Sequence, residues 1–205
     1  MRRPDWQLSR NGWFWVLFAF IAVVALHLEY LLPWVTAIAG LCVLWRILEY
    51  RGTVPFPPWP LKAIFVVGCI GGLTMSYRSL LGLEPMLSML MAGFGLKLLE
   101  MHHKRDAVVL VYLAFFSASV HCVFTQDIPD FILVLLVYLI ATTALVSINQ
   151  SKTSGFSARP SRTAFKMLAT ALPLMLAMFI VIPRMGAFWS NPSPKHQALS
   201  LIHIS

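Results

Sequence analysis

Long apolar runs alternate with short charged gaps along this chain, and the Lys and Arg residues fall almost entirely in every second gap. Folding around a water-soluble core gives no reason to sort cations in this way. Repeated crossing of a bilayer does, because positive charge is retained on the cytoplasmic side. The composition agrees: 59% of the 205 residues are hydrophobic and only 12% are charged, outside the range of soluble domains. The net charge of +8 does not argue for a nucleic-acid partner. Its carriers flank apolar segments, where they meet the anionic headgroups of the lipid bilayer, and they form no basic stripe.

A helix needs about 20 residues to cross a hydrocarbon core of about 30 Å. The sequence offers seven such segments, at 12–28, 30–48, 61–77, 79–96, 107–125, 128–148 and 164–182. The first two form a hairpin hinged at His27 to Tyr30, and the Pro-rich stretch 54–60 is a stiff connector. The fourth segment is the weakest, because Glu84 and Pro85 interrupt it. Backbone polar groups must be paired inside the bilayer, so helices and not open strands are expected. The predicted fold is an all-α, polytopic transmembrane bundle.

Basic residues orient it. Arg2, Arg3 and Arg10 precede the first span; Arg46, Arg51 and Lys62 occupy the second gap; Lys97, Lys104 and Arg105 the fourth; Lys152, Arg159, Arg162 and Lys166 the sixth. Arg78, Arg184 and Lys195 are left for the other side. The positive-inside rule then predicts a cytoplasmic N-terminus, and seven spans deliver the C-terminus outside. Trp13, Trp15, Trp34, Trp45, Trp59 and Trp189 lie near span ends, where aromatic rings favour the headgroup level. The basic start resembles a signal peptide, but no small-residue cleavage site closes the first run, which is read as an uncleaved helix.

Candidate chemistry is sparse. Cys42, Cys69 and Cys122 lie within apolar runs without metal-ligand spacing and read as packing residues. His121 and Cys122 are adjacent, so on a helix they diverge and do not form a nucleophile–base dyad. No phosphate loop, zinc motif or nucleophile elbow is present, so no catalytic residue, metal or cofactor is assigned. Lys97, Glu100 and Lys104 have helical spacing for ion pairs, and Asp106 is placed to favour a helix N-terminus. Together with Arg105 they read as a charged cytoplasmic hairpin; a relay through Glu100, His102 and His103 is the weaker reading. On the other side Glu29, Arg78, Glu84, Asp127 and Asp130 are expected to gather as a docking point for an outer domain, with a substrate entrance as the second reading. Gly68 and Gly72 give a small-residue spacing suited to close helix packing.

Several of these pieces occur in a familiar order: YRSLLGLEP from Tyr77 to Pro85, KLLE from Lys97 to Glu100, then Arg105 and Asp106. Phe115 and Phe116, Phe124 to Gln126, and a closing Ile182, Pro183, Arg184 with Trp189 follow. In this order and spacing, residues 12–189 resemble the N-terminal membrane domain of TgpA-type transglutaminase-like proteins of bacteria. Arg78, Gly82, Glu84, Lys97, Glu100, Arg105, Asp106, Pro183 and Arg184 are the structural family-motif positions that the resemblance singles out.

The resemblance implies a large extracytoplasmic domain after these helices, with a Cys, His, Asp triad in which a thiolate attacks an amide carbonyl. A final transmembrane helix follows it in the family. Residues 1–186 are accordingly expected to be a multi-spanning membrane domain and 187–205 the truncated start of the outer segment, with 198–205 unlike the family's continuation. The expected role is to anchor and position that outer domain at the bacterial inner membrane, with the bilayer and the chain's own outer domain as partners and no catalysis by the fragment itself. A stand-alone transporter or lipid-substrate carrier is the alternative.

Overall fold

The computed structural model describes residues 9–55, 57–77, 82–101, 103–125, 127–149 and 159–181. Among them the chain forms seven α-helices and no strand: α1 (Arg10–Leu26), α2 (Pro33–Tyr50), α3 (Trp59–Ser76), α4 (Leu83–Leu99), α5 (Lys104–Phe124), α6 (Ile128–Asn149) and α7 (Arg159–Val181). Three of them, α3, α5 and α6, are long and apolar enough to cross a membrane, and α1 is a shorter apolar helix.

Local chemistry sets the boundaries. Ser9 caps α1, its Oγ accepting the Gly12 N–H at 3.1 Å. Pro33 opens α2, and Pro60, Pro129 and Pro160 take the second position of α3, α6 and α7. A helix's first N–H groups have no intrahelical partner, so proline costs nothing there. The same reason corrects the expectation for the fourth segment. Glu84 and Pro85 do not interrupt α4; they belong to its first turn, where the ring displaces no hydrogen bond and the acid favours the macrodipole. Past the end of α2, Gly52 takes φ 78°. Its N–H bonds the Glu49 carbonyl at 2.9 Å and the Thr53 N–H bonds the Leu48 carbonyl at 3.0 Å, a double closure that needs left-handed backbone.

The chain divides into two units, Met1–Leu168 and Ala169–Ser205. In the first, α1 packs against α5 and α6, α2 against α4, and α3 against α4. The six helices run up and down between two ends. At one end Trp13 of α1 stacks on Tyr50 of α2 with ring centroids 4.3 Å apart, and the Ser9 hydroxyl reaches the Ser147 carbonyl of α6 at 3.4 Å. At the other, His27 after α1 meets His121 of α5, and Tyr77 after α3 hydrogen-bonds Ser88 of α4 at 3.1 Å.

Small residues fill the helix contacts: Ala107, Ala114 and Ala118 of α5 and Ala141 and Ala144 of α6 are buried. Large apolar side chains, including Val67, Ile70, Tyr112, Phe116, Ile132 and Leu136, point away from the bundle. Phe20, Leu87, Met91, Phe94 and Leu98 are buried as well, so large side chains fill the core of the other helices, while close contact through small residues belongs to α5 and α6. Of the expected small-residue pair, Gly72 is used: a Cβ there would lie 3.1 Å from the Trp34 ring, whereas Gly68 has open space. Gly95 sits nearly as close to Cys42, with 3.3 Å from an added Cβ to its Sγ.

In the second unit, the described part of α7 from Ala169 exposes its side chains on all sides, and Pro173 removes one interior backbone hydrogen bond.

Candidate functional site

The two ends of the six-helix unit carry opposite charge. One gathers Arg10, Arg46, Arg51, Lys62, Lys97, Lys104 and Arg105, with Glu49, Glu100 and Asp106 among them. Lys97 near the end of α4 bonds Asp106 of α5 at 3.1 Å. Lys62 of α3 lies 3.8 Å from Glu100, the residue after α4. Asp106 also accepts the His103 backbone N–H at 3.0 Å and closes a capping box at the start of α5. Glu100 and Lys104 stand on either side of a break between helices, so their four-residue spacing is not a helical one. The charged hairpin is therefore tied between helices, and Arg105 on it is exposed.

The firmest tie at this end is one that spacing alone did not reveal. Arg46 is only 7% exposed. Its guanidinium bonds Glu49 at 2.6 Å through Nη1 and donates through Nη2 to the Met101 backbone carbonyl, fastening α2 to the α4–α5 turn. A buried Arg carries a large desolvation cost unless such partners hold it.

The opposite end carries Glu29, Glu84, Asp127 and Asp130, with no Lys or Arg among the described residues there. Gly82 precedes α4 in extended backbone, and a Cβ on it would come within 3.3 Å of the Pro85 ring, so glycine lets that proline start the helix. Behind the acids lies a cluster of rings. His27 donates from Nδ1 to the Val23 carbonyl at 2.9 Å. That bond places its proton on Nδ1. The His27 ring meets His121 edge-on, centroids 5.0 Å apart, and Tyr30 packs on His121 and Phe124 at 5.8 and 4.8 Å. Partial burial raises the Tyr30 phenol above its ordinary range, and the charges of Glu29, Asp130 and Asp127 push the same way. A cleft of about 390 Å³ opens at the α5–α6 turn between His121, Thr125, Asp127 and Asp130, with Phe131 and Val134 as apolar walls. Cys122 is exposed and His121 buried, and both side chains line this cleft. Among the described residues no group of three or more His, Cys, Asp or Glu side chains is arranged to hold a metal ion.

The model of the TgpA N-terminal domain matches residues 15–201 of this chain. The chain belongs to that family. The chain is also similar to a curated relative, the protein-glutamine gamma-glutamyltransferase of Pseudomonas aeruginosa (strain PAO1). The two are 35% identical over 196 residues, which is 94% of this chain and 29% of the relative. The chain thus spans less than a third of that relative's length. No solved structure matches it.

Of the motif positions in this TgpA N-terminal domain, Lys97, Glu100, Arg105 and Asp106 come together at the basic end, and Gly82 and Glu84 lie at the acidic end. Arg78, Pro183 and Arg184 lie outside the described residues, as do His102, Trp189 and 198–205. Sequence spacing missed Arg46 and the His27–His121 contact. The signal for both was a polar residue at the inner margin of an apolar run, where an unpaired group is costly.

Proposed function

We propose that this TgpA N-terminal domain is the membrane-embedded part of a transglutaminase-like protein of the bacterial inner membrane. Its seven helices all cross the bilayer, with the N-terminus cytoplasmic and the chain after α7 outside. There it anchors and positions an extracytoplasmic domain with a Cys, His, Asp triad. The observation that carries this reading is the charge polarity of the six-helix unit: the cations, with a smaller number of acids, collect at one end, the other carries acids without a Lys or Arg among the described residues, and the surface between them is apolar. Positive charge is retained in the cytoplasm, which assigns the basic end to that side.

Tethering alone requires one helix. A bundle of helices offers something further, an acidic surface at the outer leaflet, with Glu29, Glu84, Asp127 and Asp130, against which an outer domain keeps one orientation. The similarity to a protein-glutamine gamma-glutamyltransferase supports amide chemistry for the complete protein. The test is a pair of alkaline phosphatase fusions, one after residue 155 and one after residue 190. Activity only at 190 is expected; activity at 155, or none at 190, overturns the orientation.

A further inference from the structure

The cleft at the α5–α6 turn has features that an anchoring role leaves unused. His121 lines it and is 4% exposed, yet neither of its ring nitrogens has a hydrogen-bond partner among the described residues. The buried Oγ1 of Thr125, on the same wall, also lacks one among the described residues. Buried polar atoms are nearly always paired, so such a concentration in one cleft marks a place where a ligand completes the pairing. Asp130 contributes to the first turn of α6, which accounts for one acid. Asp127 precedes α6 and its backbone carbonyl accepts the Phe131 N–H at 3.1 Å, so the helix start accounts for both acids; it does not account for an imidazole and a hydroxyl beside them that lack partners among the described residues.

The lining specifies the ligand's chemistry. Asp127 and Asp130 accept hydrogen bonds and carry negative charge; a neutral imidazole and a hydroxyl each offer a further acceptor. The site therefore calls for a cation rich in N–H donors. Phe131 and Val134 give it an apolar wall, which favours a cation carried on a short alkyl chain. A bare metal ion is a poor match, because these side chains do not form a ligand set of three. We propose that this cleft binds a primary alkylammonium group, the ammonium seated between Asp127 and Asp130 with His121 and Thr125 accepting from it, and the alkyl portion against Phe131 and Val134. Such a group reaches the outer end of the bundle either as a soluble amine or as the ethanolammonium headgroup of a lipid in the surrounding leaflet.

The experiment uses the full chain in nanodiscs of phosphatidylcholine and phosphatidylglycerol, which lack primary amines. Butylammonium is titrated and followed by saturation-transfer NMR, with tetramethylammonium and butanol as controls. Saturable binding of butylammonium alone is expected, weakened about tenfold or more in Asp127→Asn/Asp130→Asn, since charge-assisted hydrogen bonds are lost. Thr125→Val serves as a second, structurally milder variant and is expected to weaken binding about threefold or more. Replacing phosphatidylcholine with phosphatidylethanolamine separates the sources. Competition identifies the lipid headgroup as the occupant, and unchanged affinity identifies a soluble amine; either outcome upholds the site. Equal binding of tetramethylammonium, unaltered affinity in both variants, or no saturable binding at all overturns it.

Discussion

Replacing Arg46 with methionine tests how far the basic end depends on one buried cation. The substitution keeps much of the side chain's length and removes its charge and all its donors. In the native protein Nη1 lies 2.6 Å from a Glu49 carboxylate oxygen, with the two side chains 8% and 14% exposed. At that distance and an effective dielectric of about 20, the gross attraction is about 6 kcal/mol. Much of it is offset by the cost of removing both charges from water. What the substitution exposes is the unpaired remainder: a largely buried Glu49 carboxylate and a Met101 carbonyl without its donor. Breaking a buried pair from one side costs about 3–5 kcal/mol. We expect Arg46→Met to lower stability by about that amount in denaturant unfolding of detergent-solubilised protein. Arg46→Met/Glu49→Met is expected to recover at least about 1 kcal/mol of it, because no charge is then left unpaired. A single variant within about 0.5 kcal/mol of wild type, or a double variant worse than the single, refutes the tie between α2 and the α4–α5 turn.

Other positions give sharper contrasts. Asp106→Ala removes both the acceptor for the His103 N–H and the partner of Lys97, and is expected to cost about 1–2 kcal/mol in the same unfolding assay. Gly95→Val, whose Cβ would meet Cys42 Sγ at 3.3 Å, is expected to cost about 1–3 kcal/mol, while Gly93→Ala, with nothing within 4 Å, is expected to be neutral or slightly stabilising. Of the three cysteines, Cys122 is exposed and Cys42 and Cys69 are buried, so a small lipid-soluble maleimide should modify one thiol per native chain, located at Cys122 by mass spectrometry.

Helix existence was legible because each apolar run is long and ends at proline, charge or a polar break. The seven helices fall on the seven segments read from the sequence, and the largest shifts are at α7, which starts at Arg159 and not near residue 164, and at α4, which starts at Leu83 and not near residue 79. In the bare sequence Pro85 reads as an interruption; in the first turn of α4 it is a start signal. Pairings between helices were not legible. Lys97 and Asp106 are nine residues apart and meet only because the chain reverses at Glu100 to His103. Arg46 reaches Met101 across 55 residues, and α1 finds α6 before any later neighbour in sequence would suggest it. Single-sequence spacing reports what shares a helix face, whereas helix neighbours are chosen by packing of small residues that recur throughout apolar segments. The same limit hid the meeting of His27 and His121: in the sequence one belongs to a hinge and the other is the neighbour of Cys122, and only the approach of α1 to α5 makes them a pair.

The central claim is that the basic end of the bundle faces the cytoplasm and the acidic end faces outward. It is tested most directly by placing single cysteines at Thr53 and at Glu29, both exposed, in a background with Cys42, Cys69 and Cys122 replaced by alanine, then labelling intact cells with a membrane-impermeant maleimide. Labelling at position 29 and protection at position 53 until the cells are lysed is the predicted result. Labelling at 53 with protection at 29 would contradict it.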